Sequence, residues 1–290
     1  GIDLRKIRGS ARGGRIVVED LKEYIASLQR GVTQPVSSAP VATVQPTMVD
    51  FSRWGPVTRK KLSQLRLAIS KKMVESWTRI PHVTQFDQAD ITDLQRLRKI
   101  HGPFYKKKNA NLTLTPLILK ALVDVLKEYP VFNGSIDLDT NEYVLKNYYH
   151  FGVAVDTEQG LLVPVLRDVD KKGLLELSIE VEQLADRARQ RKIALEEMQG
   201  GTFTVSNQGG IGGGHFTPII NAPEVAILGI GRGVDQAVIR SQRPDKRMIL
   251  PLSLSYDHRV IDGADAARFI SAFVARLGAF RESEFRLTQL

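Results

Sequence analysis

Residues 253–269 read SLSYDHRVIDGADAARF, and the order of residue types along them decides the fold. Leu250, Leu252, Leu254 and Tyr256 alternate with Pro251, Ser253 and Ser255, the period of a strand with one buried face, and the strand should end near Asp257. Downstream, Ala266, Phe269, Ile270, Phe273, Val274 and Leu277 recur at helical spacing and mark the buried stripe of a helix. His258 therefore stands where a strand leaves the sheet, with Asp262 and Gly263 at the entry to the helix. Such junctions hold polar side chains on a rigid frame, as catalysis requires. The plainer readings are a structural histidine and an aspartate that caps the helix.

Outward from that stretch the chain stays globular back to about Phe51. Leu62–Trp77 has helical spacing at Leu65, Ile69, Met73 and Trp77. The run 83–92, VTQFDQADIT, alternates like a strand and ends at Thr92, a suitable cap for a helix from Asp93 to Ile100. Thr115 and Pro116 open a strongly apolar helix to about Glu128. The runs HFGVAVD (150–156) and GLLVPVL (160–166) read as strands joined by a turn from Thr157 to Gly160. A helix over Leu174–Arg191 and strands at GTFTVSN (201–207), EVAILGIG (224–231) and MILPLSLSYD (248–257) follow. This is an α/β domain, and its hairpin-like steps predict a partly antiparallel sheet.

A second stretch bears on chemistry: GGTFTVSNQGGIGGG, 200–214. Phe203 and Val205 should face one way, and Thr202, Thr204 and Ser206 the other. A hydroxyl-lined strand leading into five glycines brings backbone close to a ligand. It is no phosphate-binding P-loop, lacking the GK[ST] ending.

Before the large domain, residues 1–31 form a small basic unit. An extended piece and a turn at Gly9, Gly13 and Gly14 lead to a helix favoured by Glu19 and Asp20, with Leu21, Tyr24, Ile25 and Leu28 on one face. Residues 32–50 are rich in Pro, Ser, Thr, Val and Ala, uncharged until Asp50, and read as a semi-stiff linker. The opening Gly in place of Met suggests a fragment.

The 290 residues carry a net charge of +9 and no cysteine. Disulfides, thiolate metal sites and a cysteine nucleophile are thereby excluded, no metal site is expected, and a cytoplasmic setting is compatible. No apolar run approaches the ~20 residues of a membrane span, and no signal peptide is visible. Positive charge concentrates at Arg53, Arg59, Lys60, Lys61, Arg66, Lys71, Lys72 and Arg79, against Glu75 alone, with a second cluster at Lys106–Lys108. Most of this is solvated helix surface, and a polyphosphate ligand would use only a few of these groups. Nucleic-acid binding is not expected, because no base-reading motif accompanies the charge.

The segment YDHRVIDG (256–263) resembles the HxxxDG signature of the dihydrolipoamide acyltransferases, the E2 components of 2-oxo acid dehydrogenase complexes. IPHVTQFDQADIT (80–92), FGVAVDTEQGLLVPVLRDVDKKG (151–173), EMQGGTFTVSNQGGIGG (197–213) and INAPEVAILGIG (220–231) look like the same family, in the expected order. Residues 3–21, DLRKIRGSARGGRIVVEDL, look like the C-terminal half of the peripheral subunit-binding domain that precedes the linker in that family.

The resemblance implies a chloramphenicol-acetyltransferase-like two-layer sandwich with a mixed sheet over residues 51–290. It implies acyl transfer between a dihydrolipoyl thiol and coenzyme A, with His258 as general base and Ser206 donating to the oxyanion. Asp262 would hold the loop, with Arg66 as its ion-pair partner; Arg66, Asn207, Gly209 and Gly210 would contact the coenzyme. The serine in FTVSN and the NAPEVAILG segment favour the pyruvate-complex enzymes and hence acetyl; succinyl and branched-chain acyl groups, or a non-catalytic scaffold, are the alternatives. Homotrimers would assemble into a cubic or icosahedral core, with dihydrolipoamide dehydrogenase and the pyruvate decarboxylase component bound through the subunit-binding domain. The chain has no lipoyl-lysine motif, so the swinging arm would come from a lipoyl domain outside it, and the subunit-binding unit lacks its first helix and is expected to hold partners weakly. A serine hydrolase is disfavoured because Ser206 lies in no G-x-S-x-G elbow.

Overall fold

A computed structural model describes residues 7, 9–32, 49–158, 160–240 and 242–287. The chain divides into two compact units, residues 1–60 and 61–290. In the first, helix α1 spans Val18–Val32. One oxygen of Asp20 accepts the N–H groups of Val17 and Ser10 at 3.0 and 2.9 Å, tying the turn to the helix and holding this carboxyl below its usual range. Gly13 and Gly14 turn that corner at φ of 83° and 75°, where a side chain would be strained. Most of the expected extended piece before Gly9 and the body of the linker, 33–48, lie outside the described residues.

The second unit opens with α2 (Gln64–Arg79), whose first turn is capped by Ser63. Strand β1 (His82–Asp90) leads into α3 (Thr92–Lys106). Thr92 is not the cap, as its position suggested, but the first helical residue; Ile91 is the N-cap and offers no side-chain acceptor, and the carboxylate of Asp90 accepts the Thr92 N–H at 3.0 Å. The helix also runs beyond Ile100 and carries Pro103 inside it.

Nine of the 15 residues of α4 (Leu114–Glu128) are buried, as expected of a helix apolar on nearly every side. The hairpin β2 (Gly134–Asp137) and β3 (Glu142–Leu145) follows. The two runs around the Thr157 turn each break in two. The outer halves β4 (Phe151–Val153) and β7 (Val165–Leu166) pair with each other, as do the inner halves β5 (Val155–Thr157) and β6 (Gly160–Leu162). Then come α5 (Leu174–Arg189), β8 (Phe203–Asn207), β9 (Ala226–Ile230), β10 (Val234–Arg240), β11 (Arg243–Asp257) and α6 (Gly263–Gly278).

Seven strands form one mixed sheet in the order β1-β11-β9-β8-β4-β7, with β10 paired to β11. The β4–β8 and β8–β9 pairs are parallel and the rest antiparallel. One face presents Phe203, Val205, Leu228, Leu252, Leu254 and Tyr256 to a single core shared with α4 and α6. Phe269 of α6 stacks on Phe132 with ring centroids 4.1 Å apart. The opposite face carries Thr204, Ser206, Ser253 and Ser255, all buried, and a small separate cluster of Ile80, Ile220 and Ile227.

Candidate active site

The segment carrying His258 is clamped as it leaves the sheet. Asp257 donates its N–H to the Val225 carbonyl at 2.9 Å, and His258 donates its own to the Pro81 carbonyl at 3.1 Å. The buried carboxylate of Asp257 turns back on Arg259, accepting its backbone N–H at 3.0 Å, Nε at 2.9 Å and Nη2 at 2.6 Å. That pairing raises the affinity of the guanidinium for its proton. The His258 side chain is exposed, its ring 5.8 Å from that of Tyr256.

Asp262 occupies the N-cap of α6. One oxygen accepts the N–H groups of Asp265 and Ala264 at 3.0 and 2.9 Å, and these donors hold the carboxyl below its usual range, aided by the nearby charges of Arg268 and His258. Arg66 does not meet it. The Arg66 guanidinium lies beside Gly160, 3.5 Å from where a Cβ would stand, so the expected ion pair with Asp262 is absent among the described residues. The sequence pattern placed both groups in the domain but carried no information on their separation in space.

Ser206 is 8% exposed on β8, and its hydroxyl has no hydrogen-bond partner among the described residues. It faces Gly229 across the sheet, and Gly229 faces Ser253. The ring of Phe216 covers Gly229 so closely that a Cβ there would lie 2.7 Å from it, and Ser253 Oγ fixes Phe216 by accepting its N–H at 3.2 Å. Ser206 thus presents an unengaged hydroxyl beside an aromatic wall.

The turn after Ser206 is braced by Asn207, whose Oδ1 accepts the Gly209 N–H at 2.9 Å while Nδ2 donates to Thr115 Oγ1 at 3.2 Å. Gly209 packs on the Gly231 carbonyl, 2.9 Å from where its Cβ would be, while nothing crowds Gly210. Asn207 and Gly210 line a cavity of about 500 Å³, with Thr113, Thr115, Val153 and Val205 among its walls.

Ser206 and His258 do not meet within one chain. Ser206 is level with Ser253, and His258 lies five positions further along the strand direction. At ~3.3 Å per residue that is about 16 Å, besides two strand spacings of ~4.8 Å each, far beyond the reach of an imidazole.

Sequence reasoning missed the Asp257–Arg259 clamp, the Phe216 wall and His82. His82 Nε2 accepts the Ile220 N–H at 3.0 Å, so Nδ1 carries the proton and donates to the Ile80 carbonyl at 2.8 Å, while the ring stacks on Trp77. The adjacency of Asp257 and Arg259 was a readable signal; the contacts of Phe216 and His82 span distant segments and were not.

The profile of the 2-oxoacid dehydrogenases acyltransferase catalytic domain matches residues 55–283. The chain belongs to this family. The acetyltransferase component of the pyruvate dehydrogenase complex of Haemophilus influenzae is 44% identical over 283 residues, covering 93% of the chain and 50% of the relative. Its counterpart from Bacillus subtilis is 43% identical over 268 residues, covering 92% and 61%. The chain thus spans about half the length of the first of these relatives. Among solved structures, Azotobacter vinelandii dihydrolipoamide acetyltransferase superposes with a TM-score of 0.78 at 46% identity, over 80% of this chain and 95% of that one. The cubic core of a pyruvate dehydrogenase multienzyme complex superposes with the same figures. The family's α/β catalytic fold with a mixed sheet is therefore the fold of residues 61–290. Among the described residues no cluster of metal-ligating side chains occurs, and no helix is long and apolar enough to cross a membrane.

Proposed function

We propose that this chain is the catalytic part of a dihydrolipoyllysine-residue acetyltransferase of a pyruvate dehydrogenase complex, moving acetyl between a dihydrolipoyl thiol and coenzyme A. The observation that carries the reading is the pair formed by an exposed His258 on a clamped strand end and an unengaged Ser206 hydroxyl in a buried strand, in a chain of this family. His258 would take the proton of the attacking thiol; the thiolate adds to the thioester carbonyl, and Ser206 donates a hydrogen bond to the oxyanion that forms. Collapse breaks the original C–S bond, and the departing thiolate takes the proton back from His258. No acyl-enzyme is required. Support for these roles comes from the A. vinelandii enzyme, where a serine, a histidine and an asparagine have been studied for their part in catalysis. Their spacing is that of Ser206, His258 and Asp262 in this chain.

Because one chain keeps Ser206 and His258 apart, the working site would join Ser206 of one subunit to His258 of its neighbour. Exposed Leu67, Val74 and Trp77 on α2 and Tyr143–Leu145 on β3 supply apolar surface for such contacts. The trimer, the cubic assembly, the partner dehydrogenase and decarboxylase, and the arrangement of residues 1–31 as part of a subunit-binding domain before a linker, 32–50, and a catalytic domain, 51–290, complete the proposal. Asn207, Gly210 and the nearby cavity are proposed to receive the coenzyme, with Gly209 shaping the turn and Arg66 as a further proposed contact.

The test is acetyl transfer from acetyl-CoA to free dihydrolipoamide. His258→Ala should lower kcat by about 10³ or more with the assembly size unchanged. Absence of activity in an assembled parent, with succinyl-CoA tried as well, would overturn the reading.

A further inference from the structure

Glu224 is 3% exposed, and its Oε2 has no hydrogen-bond partner among the described residues. The other oxygen accepts from Asn221 Nδ2 at 3.2 Å, and the same Nδ2 donates to Thr204 Oγ1 at 3.4 Å, so Asn221 joins the carboxyl to that strand. Thr204 shares its strand and its face with Ser206, two residues on. Gly201, at the entry to that strand, is pressed so close that a Cβ would stand 2.8 Å from Glu224 Oε1. On its other side Glu224 is bonded through the backbone to Val225, whose carbonyl receives the N–H of Asp257, the residue before His258.

On the functional reading above, we propose that Glu224 is a positioning residue for acyl transfer, its buried carboxyl clamping the strand that carries Ser206 to the segment that carries His258. The clamp works with the carboxyl uncharged. Burial pushes its pKa up to about 7, against smaller opposing pulls from Thr204, Asn221, Lys146 and Lys72. Lys146, from the end of the β2–β3 hairpin, is itself pushed down by burial. Lys72 and Arg79 of α2 and Asp137 and Asp139 of the β2–β3 turn are the other charged groups lining the adjoining cavity of about 750 Å³. A neutral carboxyl still accepts at Oε1 from Asn221, whereas an ionised one adds an uncompensated buried charge at Oε2. The sign follows: the folded state keeps this proton to higher pH than the unfolded chain, so stability from it is full below about 4.5 and is lost as pH rises through about 7.

The experiment compares parent, Glu224→Gln, Glu224→Ala and Thr204→Val in acetyl-transfer pH profiles from 5.5 to 9, and in backbone hydrogen exchange of residues 202–206 and 257–262 at matched pH. Glu224→Ala should lose about tenfold in kcat with KM for both substrates within about twofold, and Gln should restore it. The parent should lose kcat and exchange protection above about pH 7, Glu224→Gln should not, and Thr204→Val, lacking a donor to the ionised form, should move the fall to higher pH. Parent and Glu224→Gln curves that superimpose in both readouts would overturn the proposal. A parent without transfer activity would instead sink the functional reading, and the exchange data would still decide the role of Glu224.

Discussion

The carboxylate of Asp262 accepts two backbone N–H groups of α6 and stands near His258 and Arg268, so capping and catalysis make different demands on it. Capping needs only a short side chain with an acceptor, and Asn serves as well as Asp. Shuttling a proton would need the acid itself. The bonded carboxylate argues for the first. Asp262→Asn should therefore keep kcat within about threefold, whereas Asp262→Ala should lower stability and lower kcat about tenfold by loosening the His258 loop. Kinetics and urea denaturation on the two variants check this. Equal loss of kcat in both would show that the charge matters. Acid should act on the same group: its depressed carboxyl stabilises the fold above the ordinary aspartate range and loses that contribution as pH falls through its lowered folded-state value.

At the scale of elements, Gly229 of β9 shows how the site strand depends on its cover. Phe216 sits where a Cβ at position 229 would go, 2.7 Å away. Gly229→Ala should lower stability by about 1–3 kcal/mol through overpacking, and the added variant Phe216→Ala should recover much of that loss. A denaturation cycle over the four proteins measures the coupling, and additive losses would mean that the ring does not bear on the strand. This contact also marks where reading the sequence stops. Alternation along Leu250–Tyr256 and helical spacing along Ala266–Leu277 were plain because each element repeats its burial pattern several times. The aromatic seat on Gly229 joins a loop residue to a strand residue once only, with no period to reveal it. The paired hairpin β10–β11 escaped for a related reason: β10 is exposed along nearly its whole length, so no buried alternation announces it. The candidate residues divide in the same way. His258, Asp262 and Ser206 stand in local motifs, whereas a pairing of Asp262 with Arg66 depends on distance in space, and the Arg66 guanidinium lies beside Gly160 instead.

At the scale of the whole molecule, the separation of Ser206 from His258 converts into a count of sites. If each site takes its serine from one subunit and its histidine from a neighbour, chains altered at one position can repair chains altered at the other. Ser206→Ala alone should lose about 10²–10³ in kcat, as removal of an oxyanion donor commonly does, and His258→Ala should lose more. Dissociated and reassembled in equal amounts, the two proteins form mixed rings. A site is intact only where an unaltered Ser206 from a His258→Ala chain meets an unaltered His258 from a Ser206→Ala chain. Random assembly makes that about one site in four, since each symmetric interface draws its two faces independently. The mixture should therefore recover about a quarter of the parent rate, far above either component. Recovery must need reassembly, so simple mixing of preformed assemblies should give none. A rate that stays at the mean of the two variants after reassembly would place both residues in a site within one chain and require β8 and β11 to rearrange. The strand register that holds Ser206 level with Ser253 opposes that outcome.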